Sequence, residues 1–346
     1  MLTVSRTDSP ANDTETDGGS PVEDDLFTRT SRVTDSSRTN RLRHALDAHV
    51  YAPLAVAVED TRTLIGGTIV AGFVLMATVG VVLVEPPQTM EGPIFQQPFR
   101  TLEYPLGTGG LGKDLFAQVV HSAPSMLKMI LAGALLSTGI GTLIGTVAGY
   151  KGGRLDTALM GFTDLVLTIP GLALIVVLAA IYRPEDPVLV GLILGIDNWP
   201  RLSRTIRSQV LSIREEAFTE ASRIMGLSEA TLLRKDVISN LMPYISINFA
   251  NSARRIIFES VALYFLGILP FTTLNWGVML NEAYENISLT DPTKLYVILV
   301  PMVAIIVLSL GFILASQGLD RVFNVQLRAR HARTVASDEP KSEAGD

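Results

Sequence analysis

The chain has 346 residues, 48% of them hydrophobic, with a mean hydropathy of +0.35 and a formal net charge of −6. That apolar excess is more than a soluble domain carries and points to a membrane protein with several spans. The absence of cysteine excludes disulfides and thiolate metal sites, and the four histidines (His44, His49, His121 and His331) show no metal-ligand spacing. No nucleic acid is expected as a partner.

Residues 1–62 read as a disordered acidic cytoplasmic tail. The first forty are rich in Asp, Glu, Ser, Thr and Gly and hold too few large apolar residues to bury a core. They lack the apolar h-region of a signal peptide. Leu64–Val84 is a charge-free run of 21 residues, about 31 Å as a helix, which matches the hydrocarbon thickness of a bilayer. Residues 63–84 are therefore assigned to a first transmembrane helix and 85–125 to an external loop.

Within that loop, Gly107, Gly109, Gly112 and Lys113 satisfy both G-x-G-x-x-G and G-x-x-x-x-G-K. Either pattern binds phosphate only between a strand and a helix, where the helix N-terminus meets the anion. Here Tyr104-Pro105 precedes the glycines and no apolar strand is evident. Asp114 stands where a phosphate loop has Ser or Thr, and its carboxylate would repel phosphate. The expectation is a glycine-rich turn that starts an external helix, not a nucleotide site.

Residues 126–320 read as the main transmembrane domain. Met129–Tyr150 is a charge-free second span, bounded by Lys128 and Lys151. Thr157–Tyr182, interrupted only by Asp164, is the third. Val188–Ile196 is short for a fourth, and a re-entrant or surface segment is the alternative. Tyr244–Pro270 is the fifth and contains Arg254, Arg255 and Glu259; Leu295–Ala315 is the sixth. Residues 201–243 form a loop between the fourth and fifth, and 321–346 a second cytoplasmic tail. The fold class is thus all-α and polytopic, with six transmembrane helices. With both termini in the cytoplasm, 21 of the 28 Lys and Arg lie on the cytoplasmic side and five outside. Without the fourth crossing, the seven Lys and Arg of 201–243 would face outward, against the positive-inside rule.

Two features inside the spans invite function. Gly133, Ser137, Gly141, Gly145 and Gly149 recur every four residues, forming a small-residue ribbon on one helix face. It serves either tight packing within this chain or a face for a second membrane subunit. Asp164, Arg254, Arg255 and Glu259 are ionisable groups in apolar surroundings, costly in lipid. Arg255 and Glu259 are spaced to pair on one helix face. The arginines either snorkel and pair locally or line a path through the membrane.

Arg214–Pro243 is charged and helix-favouring, and sits between hydrophobic spans. It holds no His or Cys, no nucleophile beside a base and no metal set. Ala221 and Ser222 are small enough for close approach by a partner. Glu220 offers a charge and an acceptor, and Gly226 permits a sharp turn at a helix C-terminus. The segment reads as a surface to be held by another protein; an amphipathic interfacial helix is the competing reading.

Taken in order from about Pro105 to Arg321, these segments resemble the permease subunits of ABC importers of the dipeptide/oligopeptide (and nickel) group. Pro105 to Thr108, followed by Leu111 to Asp114, resembles the family's PLGTDxxGRD, with Gly109 in place of its Asp. Ala148-Gly149-Tyr150 with Gly152, Gly153 and Asp156 resembles AGYxGGxxD. Asp164 and Pro170 fall on DxxxxxP. Trp199-Pro200, Arg204, Arg207, Gln209 and Arg214-Glu215 resemble the approach to the coupling loop. Phe265-Leu266-Gly267 and Trp276-Gly277 with Met279-Leu280 resemble FLG and WGxML. Glu220, Ala221 and Gly226 match the EAAxxxG coupling motif. Ser222 replaces its second Ala, and Ser239 stands in its later Pro position.

The resemblance implies a type I ABC importer permease fold and no enzymatic activity in this chain. Glu220, Ala221, Ser222 and Gly226 would contact the ATPase subunit, whose closure tilts the spans between inward- and outward-facing states. Asp164, Arg254, Arg255 and Glu259 become candidates for the translocation path. The implied partners are two ATP-binding subunits, a second homologous permease subunit, an external substrate-binding protein and the lipid bilayer. ATP and Mg would be bound by the ATPase subunits, leaving this chain with no cofactor and no metal. The cargo would be peptides, or nickel or sugars as alternatives. A secondary transporter or channel is the rival class, in which the intramembrane charges would serve ion coupling.

Overall fold

The computed structural model describes residues 60–216, 231, 233–286 and 291–323. Among them the regular structure is helical, and the only β pairing is an isolated bridge between Thr108 and Asp114. Helix α1 (Thr61–Leu83) contains a π-turn at Met76–Gly80. It is followed by α2 (Leu115–Lys151), α3 (Gly153–Thr168), α4 (Gly171–Tyr182), α5 (Pro187–Gly195) and α6 (Trp199–Arg214). A π-turn at Leu233–Ile238 leads into α7 (Ser239–Phe265), and α8 (Trp276–Asn286) and α9 (Tyr296–Phe323) complete the order. By length and composition α1, α2 and α9 can each cross a membrane, and α3 with α4 makes a fourth if that bent pair is one span.

The long central helix α2 organises the bundle. It opens on Asp114, whose carboxylate accepts from the backbone N–H groups of Phe116 (3.0 Å) and Ala117 (3.2 Å), an N-cap that satisfies two orphan donors. Burial lifts the Asp114 carboxyl above the ordinary range, and the two N–H bonds oppose that rise. The glycine-rich loop is thus the turn that starts this helix. Gly107 and Gly112 take positive φ, and Lys113 is held by Glu282 at 3.0 Å. The helix begins 11 residues before 126, because Gln118 and Ser122 are buried inside the bundle rather than exposed in a loop.

The small-residue ribbon of α2 is a seam within this chain. A Cβ on Gly133 would lie 2.3 Å from the Gly191 carbonyl oxygen of α5, and one on Gly145 2.4 Å from the Ser203 oxygen of α6. Gly141 faces Leu202 and Gly149 faces Val210 in the same way. Of the two readings of the ribbon, packing inside the chain is the one observed. In a bilayer, where hydrophobic exclusion does not drive helices together, such backbone approach is a principal source of association. The apolar core continues from α2 through Met126 and Met129 to Leu194, Ile257, Tyr264, Trp276 and Leu308.

The run Thr157–Tyr182, expected as one span, is two helices meeting at 78°. The break falls at Ile169-Pro170, where proline removes a donor and disfavours helical backbone before it. Helix α8 was not anticipated as an element. It is clipped in place by Trp276, whose Nε1 donates to the Val119 oxygen at 3.2 Å, and by Asn281, which donates to the Phe265 oxygen at 2.9 Å.

Candidate functional site

The candidate coupling residues Glu220, Ala221, Ser222 and Gly226 lie outside the described residues, as does nearly all of the 1–62 tail. The helices on either side of them are described. Upstream, Leu202, Ile206 and Val210 on α6 are buried; downstream, Val237 and Leu241 are buried against them. The two sides of the loop therefore close on one small apolar core, joined by Tyr150, Ile213, Leu233 and Ile245.

Two arginine rungs tie α6 to α3. Arg207 grips Asp156 with both ends of its guanidinium, Nε to Oδ1 at 2.5 Å and Nη2 to Oδ2 at 2.6 Å. The hydrogen bonds that Arg207 donates to Asp156 raise its pKa above its ordinary value, so the guanidinium keeps its charge. Arg204 pairs with Asp164, its Nε 3.0 Å from Oδ1. Phe162 of α3 also stacks on Trp199 of α6 at 6.0 Å. At the far end of α6, Arg214 donates to the Tyr150 carbonyl at 3.2 Å. Residues widely separated in sequence — Tyr150, Asp156, Asp164, Arg204, Arg207 and Arg214 — thus make one clamp.

Deeper in the bundle lies a second charged group. Arg255 donates to Glu259 at 2.5 Å, to the Asn198 side-chain oxygen at 3.1 Å and to Asp197. Asn198 in turn donates to Ser252 at 2.8 Å. Asp197 sits in the turn between α5 and α6, its side chain only 7% exposed, and it lies against Gly171 at the start of α4. A Cβ at Gly171 would fall 2.2 Å from the Asp197 carboxylate, so glycine is what lets the bent span reach this acid. Arg255 therefore links α7 to the α5–α6 turn, with the α3–α4 break directly behind it.

Asn198, Asn248, Asn251, Ser252, Arg254, Arg255, Phe258 and Glu259 line a cavity of about 460 Å³. Of the four candidate path residues, Arg254, Arg255 and Glu259 come together here, while Asp164 belongs to the α3–α6 clamp. Asp197, Asn198, Asn248 and Asn251 were missed. Asn248, Asn251, Arg255 and Glu259 recur every three or four residues through an apolar span, which is one polar helix face. Reading the whole stripe, rather than only its ionisable members, would have found the asparagines. Among the described residues, no group of three or more His, Cys, Asp or Glu side chains could hold a metal ion.

The architecture is that of a multi-pass membrane transport component: a helical bundle with a clamped loop frame and a polar cavity at a broken span. A family model described as "Binding-protein-dependent transport system inner membrane component" matches residues 141–328, more than half of the chain. The chain belongs to that family. It is 26% identical over 276 residues to the dipeptide transport system permease protein DppC of Alkalihalophilus pseudofirmus, covering 78% of this chain and 88% of that one. The oligopeptide transport system permease protein OppC of Bacillus subtilis is 27% identical over 223 residues, covering 64% and 72%. DppC of Bacillus subtilis is 31% identical over 184 residues, covering 52% and 57%.

Proposed function

We propose that this chain is the membrane-spanning permease subunit of an ATP-driven importer that carries short peptides released by an external binding protein. It works with two ATP-binding subunits, which hold the ATP and Mg, and with a second homologous permease subunit. The chain crosses the membrane six times, with both termini and residues 201–243 in the cytoplasm. Glu220, Ala221, Ser222 and Gly226 dock on an ATP-binding subunit, and Arg254, Arg255 and Glu259 line the path. The peptide cargo is inferred from the dipeptide and oligopeptide permeases to which the chain is similar.

The observation that carries the coupling reading is the clamp. With α6 seamed to α2 by glycines and pinned to α3 by two Arg–Asp pairs, force applied at the loop moves helices rather than side chains. Reconstitution with the partner subunits tests it. ATP-dependent uptake of peptide, lost in Gly226→Asp while the protein still inserts and assembles, is the expected result. Uptake driven by an ion gradient without ATP would instead select the secondary-transporter class. ATP-driven uptake of nickel or a sugar but not peptide would keep the class and overturn the cargo.

A further inference from the structure

Two adjacent arginines line the cavity in α7, and only one of them is bonded to an acid. Arg255 takes both nearby acids, Asp197 and Glu259, together with the Asn198 oxygen. Arg254 makes no hydrogen bond or ion pair with any described residue, and its Nε is buried without an acceptor. It lies 11 residues before the end of α7, about 16 Å of helix, on the cavity wall. Its donors have no described acceptor, while Asp197 and Glu259 bond to its neighbour and each keep one buried oxygen without a partner.

The rest of the lining narrows the choice of anion. Asn248 and Asn251 stand one helical turn apart on the same helix, each with an amide that can donate and accept. Asn248 uses one donor on the Tyr244 carbonyl at 2.7 Å and keeps its oxygen free of any described partner. A carboxylate on Arg254 with a peptide group beside it would match this set, because guanidinium takes carboxylate in a paired, planar geometry and primary amides pair with peptide units. The volume of about 460 Å³ falls within the range of roughly 300–1,000 Å³ for small-ligand pockets.

We infer that Arg254 receives the free α-carboxylate of the cargo peptide as it passes the broken span, with Asn248 and Asn251 contacting the adjoining peptide group. This rests on the peptide-importer reading above. The site holds its ligand only in passing, and Arg255 is held by Asp197, Glu259 and Asn198, so that Arg254 is the guanidinium offered.

The test uses the complete transporter in proteoliposomes, with a labelled dipeptide and its C-terminal amide, each confirmed to load the binding protein. Wild type should carry the free acid about tenfold faster than the amide, the scale of one charge-assisted pair. Arg254→Gln should abolish the acid's advantage, so that acid and amide are carried at equal rates whatever the variant's absolute rate. Arg254→Lys should recover part of the preference. An acid-to-amide ratio unchanged in Arg254→Gln overturns the inference while leaving the peptide reading intact. Equal loss of both substrates, rescued by altering an acidic residue of the second permease subunit, also overturns it and makes Arg254 an interface residue. Transport of neither peptide by an assembled, ATP-hydrolysing wild type removes the peptide reading and this inference together.

Discussion

At the scale of single residues, the tightest constraints are backbone contacts. Gly145 has the Ser203 carbonyl where a methyl group would go, while Gly139, six positions earlier on the same helix, has nothing within 4 Å. Gly145→Ala should therefore force α2 and α6 apart and destabilise the fold by about 1–3 kcal/mol, as overpacking does. Gly139→Ala should be neutral or slightly stabilising, since it only raises helix propensity. Thermal unfolding of the purified variants in detergent reads the difference. Asp114 makes a second residue-scale case. Its side chain caps α2, but burial makes its ionised form costly. Asp114→Ala should lose about 1 kcal/mol, the usual worth of an N-cap, and Asp114→Asn clearly less, because it keeps an acceptor and drops the buried charge. The same residues show what could be read beforehand. The glycine ribbon and the helix-starting turn at 107–113 were legible, since the spacing of the glycines sufficed. The partner of the ribbon was not, because periodicity identifies a face without saying what lies against it.

At the scale of elements, the α3–α6 clamp makes unequal demands on its two rungs. The Arg207 and Asp156 side chains are 34% and 15% exposed, whereas those of Arg204 and Asp164 are 53% and 52% exposed. Solvent screening discounts the second rung toward the value of a surface pair, below about 1 kcal/mol. Asp156→Asn should thus cost more peptide uptake per ATP hydrolysed than Asp164→Asn, and a double-mutant cycle should give the larger coupling energy for the 156–207 pair. Coupling energies that are equal, or reversed in order, would count against the inner rung as the stiffening element. Charge-free runs located α1, α2 and α9 well, because long apolar segments have few other uses. Helix α8 escaped notice, and the first part of α2 was expected as an external helix rather than as the start of the long one, because Gln118, Ser122 and Asn275 look like loop residues until tertiary contacts bury them. The bend at Pro170 escaped for the opposite reason: the run around it is uniformly apolar, and one proline does not say whether a span kinks or breaks.

For the molecule as a whole, the proposed orientation can be checked directly. The sequence has no cysteine, so single cysteines can be introduced without background. A cysteine at Leu102, which is fully exposed in the external loop, should react with a membrane-impermeant maleimide in intact cells. One at Glu216, where the described part of the cytoplasmic loop ends, should react only after permeabilisation. The opposite pattern would overturn the assigned topology. Position 102 is legible from charge bias alone; position 216 depends on whether the short fourth segment crosses.

That short segment makes the glycine seam a matter of biogenesis. Helix α5 has nine residues, about 14 Å, roughly half the thickness that a lone helix must traverse. It has little to hold it in a bilayer when it first leaves the ribosome. What retains it is α2, already inserted, against which Gly191 and Gly195 lie backbone to backbone at Met129 and Gly133. On the proposed topology, the seam would serve during synthesis as a receptor for a segment too short to cross unaided. Gly133→Val should accordingly yield a fraction of chains in which Glu216Cys is labelled from outside, an error in topology from a residue far from the loop that changes sides.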